Sequence, residues 1–321
     1  MVVRHPHRLP LLALGMLALL TGLWAGLARL GWDVPLPRPG FSSLHGPLMV
    51  SGFLGTLISL ERAVALGRPW AYAAPLLTGL GGVSLIVGAP LLAAQWLMLA
   101  GSLGLVAIFA AIIRRHPALY TFTMGGGSLV WALGNLLWCL GWPVFLVVFW
   151  WAAFLVVTIA GERLELARLQ QVTGAAQATL LLLLGILLTG LLLLGWSFDG
   201  GVRLFGLGLA GLALWLGRHD IARRTVKQAG LTRFIAICLL TGYVWLGISG
   251  LSAMWFGGVP VGPQYDATLH AFFLGFVFAM IFAHAPIIFP AVLGARMTYR
   301  PLFYAHVVLL QVTLAVRLIG D

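Results

Sequence analysis

Apolar runs long enough to cross a membrane follow one another along nearly the whole chain. A helix needs about 20 predominantly apolar residues to span the hydrocarbon layer. One such run follows the basic leader Arg4-His5-Pro6-His7-Arg8. Others lie near residues 46–66, 70–90, 91–113, 118–141, 143–168, 175–196, 202–217, 231–256, 267–293 and 301–319. Two of the divisions rest on turn signals, Gly88-Ala89-Pro90 and Gly141-Trp142-Pro143. The first run is long for the core of a signal peptide and no clear small-residue cleavage site follows it, so it reads as a retained helix. The sum is about eleven helices. An odd number, and an end at Asp321 close to the end of a run, lead to the expectation of a twelfth helix outside this sequence.

Composition agrees with that pattern. Hydrophobic residues make up 61% and charged residues 8% of the chain, and the mean hydropathy is +1.03; a soluble domain carries roughly 25% charge. The expected fold class is all-α, a polytopic transmembrane helix bundle set in the lipid bilayer as one integral membrane domain over residues 1–321. A net charge of +11 would suit nucleic acid, but the basic residues sit in short loops between apolar runs, which argues for no nucleic-acid partner. With a cytoplasmic N-terminus, the inner set is Arg4, Arg8, Arg62, Arg68, Arg114, Arg115, Arg163, Arg168, Arg218, Arg223, Arg224, Lys227, Arg233, Arg296 and Arg300. That is fifteen of 19 basic residues, the asymmetry expected of cytoplasmic loops. The most basic loop, 218–233, reads as a topology determinant, with anionic lipid headgroups as a further reading. Cys139 and Cys238 lie in apolar runs without a CxxC partner, which leaves neither a disulfide framework nor a thiolate metal site.

Ionisable groups inside such runs are costly, and each deserves a functional reading. His45 opens the second run in Leu44-His45-Gly46-Pro47-Leu48-Met49, and His270 opens the tenth in Leu269-His270-Ala271-Phe272. Both sit about one turn inside the outer surface. They are expected to face each other across a haem as axial ligands, with an interfacial polar anchor as the structural alternative. An imidazole binds iron through a neutral nitrogen while its other nitrogen donates to a carbonyl or carboxylate. Met49 and Gly52 share the face of His45, four and seven residues on. Gly52 would leave room for a flat porphyrin, and Arg38 lies near enough to pair with a propionate.

A second, inner pair is His284 and His306. His284 shares the face of His270 about 21 Å further in, at about 1.5 Å per residue. The two are expected to hold a second metal or haem, or to relay protons, with an interhelical hydrogen bond as the structural alternative. Pro286 and Pro290 are expected to break the helix after His284. Glu61-Arg62 and Glu162-Arg163 end two helices on the inner side, as snorkelling charge or the mouth of a proton path, each pair placed to bridge to the other. His116 and His219, in inner turns, are assigned nothing. Trp96, Trp138, Trp142, Trp196 and Trp255 fall near the outer interface as a belt. Glycines at 206, 208, 211, 242, 247 and 250 are read as close helix packing.

The opening His45-Gly46-x-x-Met49 resembles the second helix of haem-copper oxidase subunit I, in which such a histidine ligates the low-spin haem and the partner ligand comes from the tenth helix. A wider resemblance is to NnrS-type proteins, multi-pass haem- and copper-containing proteins of the bacterial nitric oxide response. It is carried by His45 with Met49-x-x-Gly52-Phe53, by Ile159-Ala160-Gly161-Glu162-Arg163, by His270-Ala271 with a glycine soon after, and by Arg300-Pro301-Leu302. The resemblance implies b-type haem, the bacterial cytoplasmic (inner) membrane, and a diatomic gas or a redox partner. It would also imply copper, but Pro47 stands where that family tends to have a second histidine, and Ala295 follows Gly294 where it tends to have another. Segments six and seven hold no histidine, which tells against an oxygen-reducing binuclear centre.

The functional expectation is thus a haem-binding membrane protein of the NnrS type, engaged in the nitric oxide or nitrosative stress response or in membrane electron transfer. No catalytic residue is assigned. The alternative is a cofactor-free small-molecule transporter using Glu61, Arg62, Glu162, Arg163 and the helix at Pro286–Pro290. The lack of an internal repeat counts against it. A third class is a structural membrane partner of a redox complex. A Soret band would separate the first class from the others.

Overall fold

A computed structural model describes residues 5, 8–167, 172–294 and 298–320. Arg4, His7, Arg168 and Arg296, together with Ala295 and the terminal Asp321, lie outside the described residues. The described chain is all-helical, with no strand. Its long helices are α1 (Leu9–Arg29), α2 (Phe41–Leu66), α3 (Pro69–Val87), α4 (Leu91–Arg115), α5 (Leu119–Cys139), α6 (Val144–Ala167), α7 (Gly174–Leu193), α8 (Phe198–His219), α9 (Gly230–Phe256), α10 (Pro263–Leu293) and α11 (Phe303–Gly320). Ten of these are long and apolar enough to cross a membrane by length and composition. The other is α5, at 21 residues, whose hydropathy is lowered by Gly125-Gly126-Gly127, by Tyr120, Thr121, Thr123 and Ser128, and by Asn135. The positions expected from the apolar runs hold, and the chain is a multi-pass membrane protein.

The helices pack as two compact units. One comprises Met1–Phe154 with Phe289–Arg296, the other Leu155–Ile288 with Met297–Asp321. Two of the dividing points fall within helices, in α6 and in α10.

In the first unit a ladder of small residues on α1 sets the approach of α2. A methyl group on Gly15 would stand 3.6 Å from Thr56, and Ala18 lies against Gly52. One on Gly22 would stand 2.8 Å from the Met49 sulfur, and one on Gly26 2.8 Å from the His45 ring. These pairs run antiparallel and one helical turn apart, as close packing of membrane helices requires. Asn135, fully buried on α5, ties the unit together. Its Oδ1 accepts from Trp151 Nε1 at 3.0 Å and from Ser51 Oγ at 3.2 Å, and its Nδ2 donates to the Met98 carbonyl at 3.3 Å. Trp138 was expected in the outer belt. It is instead buried, edge-on to Trp151 at 5.6 Å, because α5 packs through its tryptophan face. Trp96, Trp196 and Trp255 are exposed, as a belt requires.

The second unit packs α7, α8 and α9 backbone to backbone. A methyl group on Gly206 would stand 2.6 Å from the Gly250 carbonyl oxygen, and one on Gly208 2.7 Å from Leu187. Both glycines were read as packing residues, and that is their role.

Helical irregularity is not where the prolines suggested. The segment Phe278–Leu293 of α10 stays α-helical through Pro286 and Pro290. Each proline removes one N–H bond, and the remaining turns hold the helix. Besides the 3₁₀ turns Phe41–Leu44 and Pro69–Tyr72 that open α2 and α3, the chain departs from α geometry in two π-helical stretches, Leu48–Gly55 in α2 and Ala271–Val277 in α10.

Candidate functional site

In the first unit, His45 stands three residues before the π-helical stretch of α2 and is half-buried. Its Nδ1 lies 2.8 Å from the Gly22 carbonyl oxygen on α1. A carbonyl only accepts, so Nδ1 carries the proton and the neutral ring has its lone pair on Nε2. Gly26 is what lets the ring lie there. A Gly26→Ala protein is expected to lose about 1–3 kcal/mol of stability by overpacking. Gly217→Ala, on α8 with nothing within 4 Å of the added carbon, is expected to lose none. Melting temperatures of the two purified variants in detergent check this.

The other residues expected around His45 have definite places. Met49 packs against Gly22. The space beside Gly52 is filled by helix packing, with Ala18 3.0 Å and Gly82 3.7 Å from an added methyl. Arg38 is half-buried and donates through Nη2 to the Leu85 carbonyl at 2.5 Å. It thereby supplies a donor to the last turn of α3 and places its charge at the negative end of that helix.

In the second unit, His270 directly precedes the π-helical stretch of α10. Its Nδ1 lies 2.9 Å from the Asp266 carbonyl oxygen and 3.1 Å from Asp266 Oδ1. The other carboxylate oxygen, Oδ2, accepts from Arg317 Nε on α11 at 3.0 Å and from Arg317 Nη2. Asp266 thus holds the histidine with one oxygen while an arginine clamps the other. His45 and His270 belong to different units.

The inner residues form a different arrangement, also in the second unit. Arg163 on α6 is 5% exposed and Asp220, just after α8, is 3% exposed. Arg163 Nε lies 3.9 Å from Asp220 Oδ2. Asp220 also accepts from Tyr243 Oη at 2.7 Å and from the Ala222 amide at 2.7 Å. Arg163 Nη2 reaches His284 Nε2 at 2.9 Å, and His284 Nδ1 lies 2.6 Å from the Met280 carbonyl oxygen. Guanidinium has only donors, so His284 accepts at Nε2 and donates at Nδ1, and one neutral tautomer satisfies both contacts. Glu162 Oε2 is 3.9 Å from His284 Nε2. His306 sits among aromatic rings, 4.5 Å from Phe282 and 6.3 Å from each of Phe234 and Phe303. In the first unit, Glu61 and Arg62 pair with each other at 3.2 Å.

Several of these partners escaped the sequence reading. Asp266 precedes His270 by four residues, the helical-neighbour spacing, and was legible in principle. Asp220 and Tyr243 were not, because nothing local marks them as partners of Arg163. His219, read as lying in an open turn, is half-buried and stacks on Trp215 at 4.9 Å. His116 is exposed, as expected.

Among the described residues, no three or more His, Cys, Asp or Glu side chains gather as a metal ion would need. A haem sets a smaller requirement, because the porphyrin supplies four of the iron ligands and the protein only one or two. Comparison with curated proteins gave no match, and comparison with solved structures gave none. Residues 8–321 match the family model described as Domain of unknown function (DUF8744), and the chain belongs to that family.

Proposed function

We propose that this protein is a haem-binding integral membrane protein in which His45 and His270 each offer Nε2 to iron. The observation that carries the reading is shared by the two residues. Each histidine has Nδ1 tied to a backbone carbonyl, at 2.8 and 2.9 Å, and each precedes a π-helical stretch, His45 by three residues and His270 directly. Metal-bound histidines almost always donate their second nitrogen in this way, which fixes tautomer and ring orientation. Departures from α geometry of this kind occur frequently at functional sites. The donor set therefore fits haem iron. With two cysteines, both in apolar helices and neither in a C-x-x-C-H motif, the group would be held non-covalently, as b-type haem is.

Bound haem would supply a one-electron iron couple, or a ligand position for a diatomic gas where one imidazole is weak or absent. The chain's own part is to orient the two imidazoles, through Gly22 and Gly26 for His45 and through Asp266 for His270. The resemblance to NnrS-type proteins favours a role in the nitric oxide or nitrosative stress response, or in electron transfer, in a bacterial cytoplasmic membrane, and the distribution of basic residues favours an N-terminus inside. Copper finds little support, since Pro47 and Ala295 stand where that family tends to have histidines.

The test is the absorption spectrum of the full chain purified in detergent from haem-replete cells. A Soret band and a pyridine haemochrome of b type at a stoichiometric haem-to-protein ratio are expected. Protein that folds and stays colourless, with haem supplied during expression and again after purification, overturns the proposal.

A further inference from the structure

We infer that Asp266 and Arg317 together set the electron-donor strength of His270, with Asp266 as the positioning residue and Arg317 as its counterweight. This rests on the haem reading of His270 given above. The His270 ring N–H meets two oxygens of one residue, the Asp266 carbonyl at 2.9 Å and the Asp266 carboxylate at 3.1 Å. A backbone carbonyl fixes the ring. A carboxylate does more, because its negative charge draws the Nδ1 proton and raises the basicity of Nε2. Arg317 reaches the same carboxylate from another helix, with Nε at 3.0 Å from Oδ2, and withdraws part of that charge. The group is also shielded from bulk water: the side chains of His270, Arg317 and Asp266 are 21%, 24% and 31% exposed. Charge there is felt more strongly than in bulk water. Both histidines have a carbonyl at Nδ1, and at His270 a carboxylate held by an arginine stands there as well.

A stronger imidazole donor stabilises ferric over ferrous iron and lowers the midpoint potential. Removing the carboxylate charge in Asp266→Asn is therefore expected to raise the potential of the haem couple. Removing the arginine in Arg317→Gln frees the carboxylate and takes a positive charge from the neighbourhood, and both effects lower the potential. A purely structural role predicts no such opposition of sign.

The experiment is a spectroelectrochemical titration of the full-length protein and the two variants in detergent with redox mediators, alongside haem stoichiometry. Opposite shifts, upward for Asp266→Asn and downward for Arg317→Gln, are expected with haem content unchanged. Equal shifts in one direction, or no shift with haem retained, overturn the inference while leaving haem binding intact. A wild-type protein that takes up no haem overturns the haem reading and this inference with it. Should Asp266→Asn lose its haem, Arg317→Gln, which keeps the carboxylate, decides alone: a lowered potential supports the inference and an unchanged one overturns it.

Discussion

Asp220→Ala is expected to destabilise the protein by about 3–5 kcal/mol, the cost of leaving one member of a buried ion pair without its partner. Arg163 and Asp220 are both almost completely buried, and their 3.9 Å separation makes the pair loose. The remaining bonds to Asp220 make the substitution costly. Tyr243 Oη and the Ala222 amide both donate to it at 2.7 Å, so its loss takes the counter-charge from Arg163 and the acceptor from a phenol and a backbone N–H together. Arg163→Met with Asp220→Leu is expected to recover only the part of the loss due to the unpaired guanidinium, because Tyr243 Oη and the Ala222 amide still lose their acceptor. The Asp199–Arg203 pair in the same unit provides the comparison. Its side chains are 60% and 45% exposed, and Asp199→Ala is expected to shift the melting curve little, because solvent screens such a pair. Detergent melting curves of the four proteins check these values. An Asp220→Ala protein that melts with the wild type would show that the pair contributes nothing.

His45→Ala and His270→Ala are each expected to turn a low-spin haem spectrum into a high-spin one, or to lose the haem. Each change removes a nitrogen donor whose ring is oriented by a bond from Nδ1 to a backbone carbonyl. His116→Ala, in an exposed turn, is expected to leave spectrum and haem content unchanged. The measurement is the reduced-minus-oxidised difference spectrum with haem content. If both alanine variants keep full haem and an unaltered spectrum, ligation by these residues is wrong, and His284 with His306 becomes the pair to test. That pair starts at a disadvantage, because His284 Nε2 already accepts from Arg163 at 2.9 Å.

The helices were legible because membrane spans declare themselves by length and hydropathy alone. Turn signals at Gly88-Ala89-Pro90 and Gly141-Trp142-Pro143 divided them correctly. The division into two units was not legible, because α6 and α10 run through it without any break in sequence. The positions of His45 and His270 at helix mouths were readable. Their Nδ1 partners were readable only in part, since Asp266 is a near neighbour in sequence whereas Gly22 lies on another helix. Gly52 and Arg38 show the limit of arguing from spacing. A small residue beside a histidine can serve a neighbouring helix as well as a ligand, and Ala18 and Gly82 occupy that space. An arginine near a helix mouth can equally serve a helix end, and Leu85 holds Arg38. Composition also misplaced the irregular backbone. Prolines advertise a break, but both lie in continuous helix, while the π-helical stretches carry no local signature.

Those two stretches make chain length itself a determinant of aim. An α-helix turns by about 100° per residue, whereas a wider turn fits an additional residue into the same advance. Removing one residue from Leu48–Gly55 would let that stretch relax to ordinary α geometry. His45 would then swing around the axis relative to Thr56 and everything beyond, although no side chain in contact with it had changed. The same holds for His270 and Ala271–Val277. Substitutions within the two stretches should therefore be tolerated more readily than single-residue deletions, and natural variation there should preserve the number of residues more strictly than their identity.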